Sequence, residues 1–509
     1  MITIGQKPAF NFVQTVFTLN MFANLVSDKE ASDAQLQAEL STMLNALLTN
    51  DNVQNLMGVW EVVWGPVVGS YGTDADPKDP TKQIVSNALY VAYNAVNNQY
   101  VIATSATNPI SKYGWFVEDF DVRTMVPWAD VLHPDLSAVE VPADAPRVSN
   151  GTSLGLNHLL SLNGNALNAA APLTIVDFLK SRFWDEKDKV KLVVTGHSLG
   201  GAMSAVLALY IDEMQAEWNP SGSVIVTAMP TAGATPGNKA FSEHHSNLMG
   251  TRTIRFWNRL DPVPHGWEPD LVQQVPYLYY PFLKPGVLFQ GLVALVVEQS
   301  LQGTAPYPQG GLYTQIMPQV QPLPGQINIV DAANPSAAAV LQLFVDLGAE
   351  DLLKKLNVNS TIAALIVDAI NILLKDFASE ETIDQFMDNL REKLASLPVD
   401  KQWIEKLFEA LTLIVGELEN VMLFLYQLVF QHVTSYAYLM GTSAMHPLSQ
   451  SIINSLVTNK KLNGGYTNII DKQSNAQLIV EEMTPVIGSA ILNLLTPDFL
   501  KKNGWDKLL

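Results

Sequence analysis

The chain has 509 residues, 48% of them hydrophobic and 16% charged, which is more apolar material than one ordinary core uses and excludes a disordered chain. A formal net charge of −19, with no Lys/Arg cluster to offset it, opposes binding to nucleic acid and to anionic lipid. The absence of cysteine excludes disulfides, thiolate metal sites and a cysteine nucleophile.

The start, Met1 to Pro8, lacks the basic and apolar runs of a signal peptide. No stretch reaches the ~18 uninterrupted apolar residues of a membrane span, and the nearest approach is Gly286 to Val297. The expectation is a soluble chain, secreted or cytoplasmic, with no transmembrane segment and no nucleic-acid partner.

Residues 1–87 read as a mainly helical segment. Ala34 to Leu48 has apolar residues at helical spacing behind Ser32 and Asp33, either of which suits an N-cap. Val59 to Val68 places Trp60 and Trp64 four apart, as on one helical face. Residues 88–282 read as an α/β core. Ala88 to Ala95 and Gln99 to Ser105 form a hairpin around Val96-Asn97-Asn98, and Ala106 to Pro109 turns away from it. Phe116 to Trp128 reads as strand and loop, and Leu173 to Phe183 as helix. Strands are expected at Lys191 to Thr195, Ser223 to Met229 and Thr251 to Trp257, with a helix over Ala202 to Met214. Strands alternating with helices indicate a mostly parallel sheet, and functional groups then gather beyond its carboxyl ends. Thr304 to Pro335 reads as an extended connection. Residues 283–427 read as a helical insertion with segments at Ala337 to Leu347, Ser360 to Phe377, Glu381 to Leu397 and Trp403 to Phe430. Residues 428–509 read as a helical C-terminal return.

The chemistry centres on Gly196-His197-Ser198-Leu199-Gly200, a G-x-S-x-G turn between a Val-rich strand and an Ala-rich helix. A serine on such a turn projects above the sheet, and Gly196 and Gly200 remove Cβ atoms that would collide where it closes. The helix start behind it offers free N–H groups for an oxyanion, that of Leu199 first. Serine needs a base and the base needs an orienting carboxylate. Asp261 fits the acid: it lies just past a predicted strand, on a loop stiffened by Pro262 and Pro264. Serine, acid, histidine is the chain order of α/β-hydrolases, which leaves His432 and His446 as bases, His432 first. His133 and His158 precede the serine, His244 and His245 precede the acid, His265 lies four residues after it, and His197 should diverge from the hydroxyl.

These residues carry a resemblance to the fungal-type, or class 3, lipases of the α/β-hydrolase superfamily. Gly196 to Gly201 is similar to the family's G-H-S-L-G-G, and Asn258 to Pro264 to its N-x-x-D-P-V-P stretch. Pro230 to Asn238, with Ala240 and Phe241, is similar to its P-x-x-G-N-x-x-F segment with two extra residues. The family histidine is followed shortly by a tyrosine, as His432 is by Tyr436. The resemblance covers about residues 88–265 and 428–440. Where the family has F-R-G-T or F-R-G-S, this chain has Thr104-Ser105-Ala106-Thr107; Thr107 keeps the last position and inherits its role as second oxyanion donor.

The resemblance implies an α/β-hydrolase fold with a large helical cap or lid between acid and histidine. It implies hydrolysis of triacylglycerol or similar acyl esters by Ser198, Asp261 and His432, with no metal and no cofactor. The expected partners are a lipid or ester substrate and, transiently, a lipid interface. An esterase or phospholipase A1 acting on other esters is the alternative, and a non-catalytic lipid- or partner-binding protein a third.

Overall fold

The computed structural model describes residues 9–503 apart from 28, 109–110, 112–117, 120, 137–139, 168, 328–336, 347, 356–357, 377–381, 396–399, 460, 463–490 and 492–493. The chain divides into two units: residues 1–272, 297–326 and 431–471 in the first, and 273–296, 327–430 and 472–509 in the second.

The first unit is built on five strands that lie side by side in sequence order: β1 (Glu61–Gly69), β2 (Asn87–Asn94), β3 (Gln99–Thr104), β4 (Val190–His197) and β5 (Val224–Thr231). β1, β2 and β3 are antiparallel neighbours; β3, β4 and β5 are parallel. Beyond β5 the chain adds a further parallel edge through two bridges, Ala228 with Thr253 and Thr231 with Phe256, so parallel neighbours prevail. The β2–β3 hairpin turns at Asn98, whose φ of 45° is one that Asn tolerates. Parallel neighbours need long crossovers. Helices Asn150–Ser161 and Ile175–Phe183 lie between β3 and β4, and Leu199–Glu213 between β4 and β5.

Both faces of this sheet are covered, so its strands read as continuous apolar runs. Ile102, Leu192, Val194 and Val226 pack with Leu156, Phe178 and Val206 from those three helices. Val101, Ala103, Val193 and Met229 point the other way, against Val16, Leu40, Leu44 and Ile453. These come from helices Phe12–Phe22, Asp33–Leu48 and Met445–Thr458. Ser32 caps the second of them, accepting from the Gln35 N–H at 3.3 Å.

Two expected elements take other forms. Val59 to Val68 is not a helix: it contains most of β1, and residues 1–87 therefore supply a sheet strand as well as helices. Trp60 and Trp64 do not share a face. Trp64 packs beside Phe178, and Trp60 belongs to the opposite cluster. Register shifts between Val62 and Trp64, and between Trp64 and Val67, break the two-residue alternation that would mark a strand. Thr251 to Trp257 begins as a single 3₁₀ turn, Gly250–Arg252, and only then joins the sheet edge through its two bridges.

The second unit contains helices Ala337–Asp346, Ala349–Lys355, Ser360–Asp376, Ile383–Leu394 and Lys401–Val429. Val340, Phe344, Ile366, Phe386, Leu407 and Leu411 are buried in it. Phe424 lies between Tyr279 and Phe289, with ring centroids 4.7 and 4.1 Å away. By length and composition the helical stretch Lys401–Leu439 could cross a membrane, although charged residues such as Glu417 and Glu419 interrupt it. Its most apolar window is 61% buried within the protein, the pattern of a core helix. Of the expected elements, Met1 to Pro8 and parts of Phe116 to Trp128, Thr304 to Pro335, Ala337 to Leu347, Ser360 to Phe377, Glu381 to Leu397 and the C-terminal return lie outside the described residues.

Candidate active site

β4 ends at His197, and the helix Leu199–Glu213 starts one residue after Ser198. Between them Ser198 adopts φ 59° and ψ −126°, a strained conformation for a residue with a Cβ. Its neighbours hold it there. The Ser198 N–H donates to the Thr231 carbonyl of β5 at 3.1 Å, and its carbonyl accepts from Gly201 and Ala202 at 2.8 and 3.1 Å. A Cβ on Gly196 would overlap the Gly200 carbonyl, and one on Gly200 the carbonyl of Ser105. The loop after β3 thus lies directly against the elbow, and Thr104 Oγ1 ties the two together by donating to the Gly200 carbonyl at 3.1 Å.

Asp261 follows the sheet edge and is fully buried. Its Oδ1 accepts from the Val263 N–H at 3.0 Å. Its Oδ2 takes a hydrogen bond from His432 Nδ1 at 2.8 Å, across 171 positions of sequence. His432 sits in the π-turn Phe430–Thr434, a distortion that re-aims side chains within a helix. Two loops hold this turn. Asn258 Nδ2 donates to the Gln431 carbonyl at 3.2 Å and to Gln431 Oε1 at 2.8 Å. His197 Nε2 donates to the His432 carbonyl at 2.7 Å, and the two imidazole centroids are 4.8 Å apart. The candidate acid and base are therefore joined, and the base lies beside the residue preceding Ser198. No hydrogen bond joins Ser198 Oγ to His432 among the described residues.

The N–H groups of Leu199 and Thr107 have no acceptor among the described residues, as donors reserved for a ligand would not. Thr107 Oγ1 is engaged: it donates to Asp119 Oδ2 at 2.8 Å. Burial pushes the Asp119 carboxyl up to about 7; the Thr107 hydrogen bond pulls it down, and neighbouring Glu118 adds to the rise. His197 is buried, and loss of solvent with His432 alongside holds it well below the ordinary histidine range, so it is neutral.

The remaining histidines take other places in the fold. His158 Nδ1 pairs with Glu118 at 3.0 Å, and His244 Nε2 with Glu213 at 2.7 Å. His265 donates from Nδ1 to the Asp261 carbonyl at 2.8 Å, which is loop packing. His133 ends the helix Trp128–Leu132, and His245 is fully buried. His446 lies in the first turn of helix Met445–Thr458 and lines a cleft with Phe17, Met21 and Val433. Among the described residues no group of three or more His, Asp or Glu side chains could hold a metal ion.

Sequence reasoning passed over the parts played by Asn258, Tyr436, Asp119 and the His197 ring. Asn258 and Tyr436 stood inside the quoted motifs, so a signal existed. Asp119 offered none, because its bond to Thr107 depends on how the loop after β3 folds back.

Residues 169–269, the stretch holding Ser198 and Asp261, match the family described as lipase (class 3). Two Arabidopsis thaliana proteins, phospholipase A1-Igamma1 and A1-Igamma2, both chloroplastic, are 39% and 38% identical to this chain over 93 and 94 residues. That match spans 18% of this chain and 18% of each of them, less than a fifth of either relative's length. The crystal structure of M37 lipase superposes with a TM-score of 0.50 at 27% identity, covering 63% of this chain and 87% of that one. With its mostly parallel sheet and an elbow serine the chain has the α/β-hydrolase fold, and the stretch around that serine is similar to the class 3 lipases.

Proposed function

We propose that the protein is a serine carboxylic ester hydrolase of the lipase type, working through an acyl-enzyme. The observation that carries this reading is the 2.8 Å bond from His432 Nδ1 to a buried Asp261 carboxylate, set beside an elbow that strains Ser198 to φ 59°. Ser198 Oγ attacks the ester carbonyl. His432 Nε2 takes its proton and returns it to the leaving alcohol. Asp261 fixes the tautomer that leaves Nε2 free to accept and stabilises the imidazolium that forms. The N–H groups of Leu199 and Thr107 receive the oxyanion, each contributing roughly 3 kcal/mol of barrier reduction. Water, deprotonated by His432, then releases the acid. The bond from Ser198 to His432 belongs to the substrate-bound state, since such contacts are often long in free enzymes.

Treatment with a lipid-like organophosphonate should label Ser198, read by mass spectrometry, and Ser198→Ala should lower kcat by about 10⁶-fold. Hydrolysis that survives Ser198→Ala would overturn the proposal.

Phospholipase A1 action is the second reading, favoured by the names of the two plant relatives. A panel of triacylglycerols, short-chain esters and diacylphospholipids separates the two. The net charge of −19 favours neutral or zwitterionic head groups over anionic ones. We read the helical stretch 283–427 as a cap for acyl chains that meets a lipid interface transiently. A rise in rate above the substrate's solubility limit supports that assignment, and a flat response there opposes it.

A further inference from the structure

We infer that His197, the residue before the nucleophile, is a positioning residue for the base. The inference rests on the ester-hydrolase reading above. His197 is 3% exposed and enclosed by rings: Phe17 edge-on at 6.4 Å, Tyr436 edge-on at 5.1 Å and His432 tilted at 4.8 Å. Its Nδ1 is buried with no hydrogen-bond partner among the described residues. A Met or Leu side chain would fill this space without stranding a polar atom, so the imidazole is an expensive choice for packing alone. The bond that it forms explains the choice. Nε2–H donates at 2.7 Å to the backbone carbonyl of His432.

That bond holds the base at its own peptide. The π-turn Phe430–Thr434 interrupts the regular helical ladder, where backbone position is least determined by the helix itself. Asn258, from the loop that carries Asp261, grips the turn at Gln431. His197, from the elbow that carries Ser198, grips it one residue later. The base is thereby indexed to the acid through one contact and to the nucleophile through the other. Enclosure keeps the His197 ring neutral, so Nε2 stays a donor and the ring adds no charge beside the imidazolium that forms on His432 during turnover.

The test uses three variants of the full chain on a short-chain ester. His197→Gln reaches as far as Nε2 with an amide N–H. His197→Asn carries the same group too short to reach. His197→Met fills the space with no donor. For folded protein, judged by circular dichroism and thermal midpoint, His197→Met and His197→Asn should lose about 10- to 100-fold in kcat with KM unchanged, the loss expected when a catalytic group shifts by about 1 Å. His197→Gln should recover most of it. Equal kcat in the Gln and Asn variants, or wild-type kcat in a folded Met variant, overturns the assignment. If His197→Met does not fold, the Gln and Asn pair decides. These outcomes are distinct from failure of the functional reading, which shows as wild-type hydrolysis that survives Ser198→Ala.

Discussion

Tyr436 Oη donates to Asp261 Oδ2 at 2.9 Å, the same oxygen that His432 Nδ1 reaches at 2.8 Å. The phenol also accepts from the Asn258 N–H at 2.8 Å, so one hydroxyl links Asn258, at the start of this loop, to the Asp261 carboxylate. Burial first, and the Asp261 carboxylate second, raise Tyr436 well above the ordinary tyrosine value and keep its proton on.

Tyr436→Phe should therefore cost stability and rate together. It removes a donor from a buried carboxylate and leaves the Asn258 N–H unpaired, a loss of about 1–3 kcal/mol. A further ~1.4 kcal/mol of lost orientation at His432 would appear as about tenfold in kcat. Thermal unfolding and steady-state kinetics read both, and an unchanged midpoint would refute the account.

Gly196→Ala should be among the most damaging single-methyl additions in this chain. Its Cβ would run into the Gly200 carbonyl and Thr104 Oγ1, backbone and buried side chain that have nowhere to go. Destabilisation should exceed the ~3 kcal/mol upper end of ordinary substitutions. A soluble variant with wild-type melting would show that the elbow has room it is not expected to have.

Asp119 should make stability depend on pH. Its folded value of about 7 lies above an unfolded carboxyl value of about 3.9, so the folded state binds the proton more tightly. The stability this gives is complete below the unfolded value and is lost as pH rises through about 7. Asp119→Asn, which can still accept from Thr107, should show a smaller fall in melting temperature between about pH 5 and pH 8 than wild type. Parallel curves for the two proteins would contradict the assignment.

His432→Ala and His446→Ala should separate cleanly. The first removes the proposed base and should reduce kcat to a level comparable with Ser198→Ala. The second removes a side chain from a cleft lined by Phe17 and Val433 and should leave a hydrolase. Loss of hydrolysis only in the His446 variant would move the base to that residue.

The elbow could be read from the sequence because its logic is local: a strand, a forced turn and a helix are contiguous, and Gly196 and Gly200 mark where backbones meet. The β2–β3 hairpin was legible for the same reason. β1 was not, because two register shifts erase its alternation and the spacing of Trp60 and Trp64 imitates a helix. Chain order narrowed the base to His432 and His446, but only folding brings one ring to a carboxylate 171 positions away. His197 was set aside because its side chain leaves the nucleophile. That divergence is what carries it to the backbone of His432, a relationship no spacing rule contains.

The chain leaves the first unit a second time after Gln326 and rejoins it at Gln431, one residue before the imidazole. Asp261 and His432 are held by contacts at that re-joining point, from Asn258 to Gln431 and from Tyr436 to Asp261, and not by the length of polypeptide between them. Closing a loop twice as long costs only about 0.6 kcal/mol more. The intervening helices are thus a tract that lineage or laboratory can lengthen, trim or exchange while Asp261 and His432 stay in register.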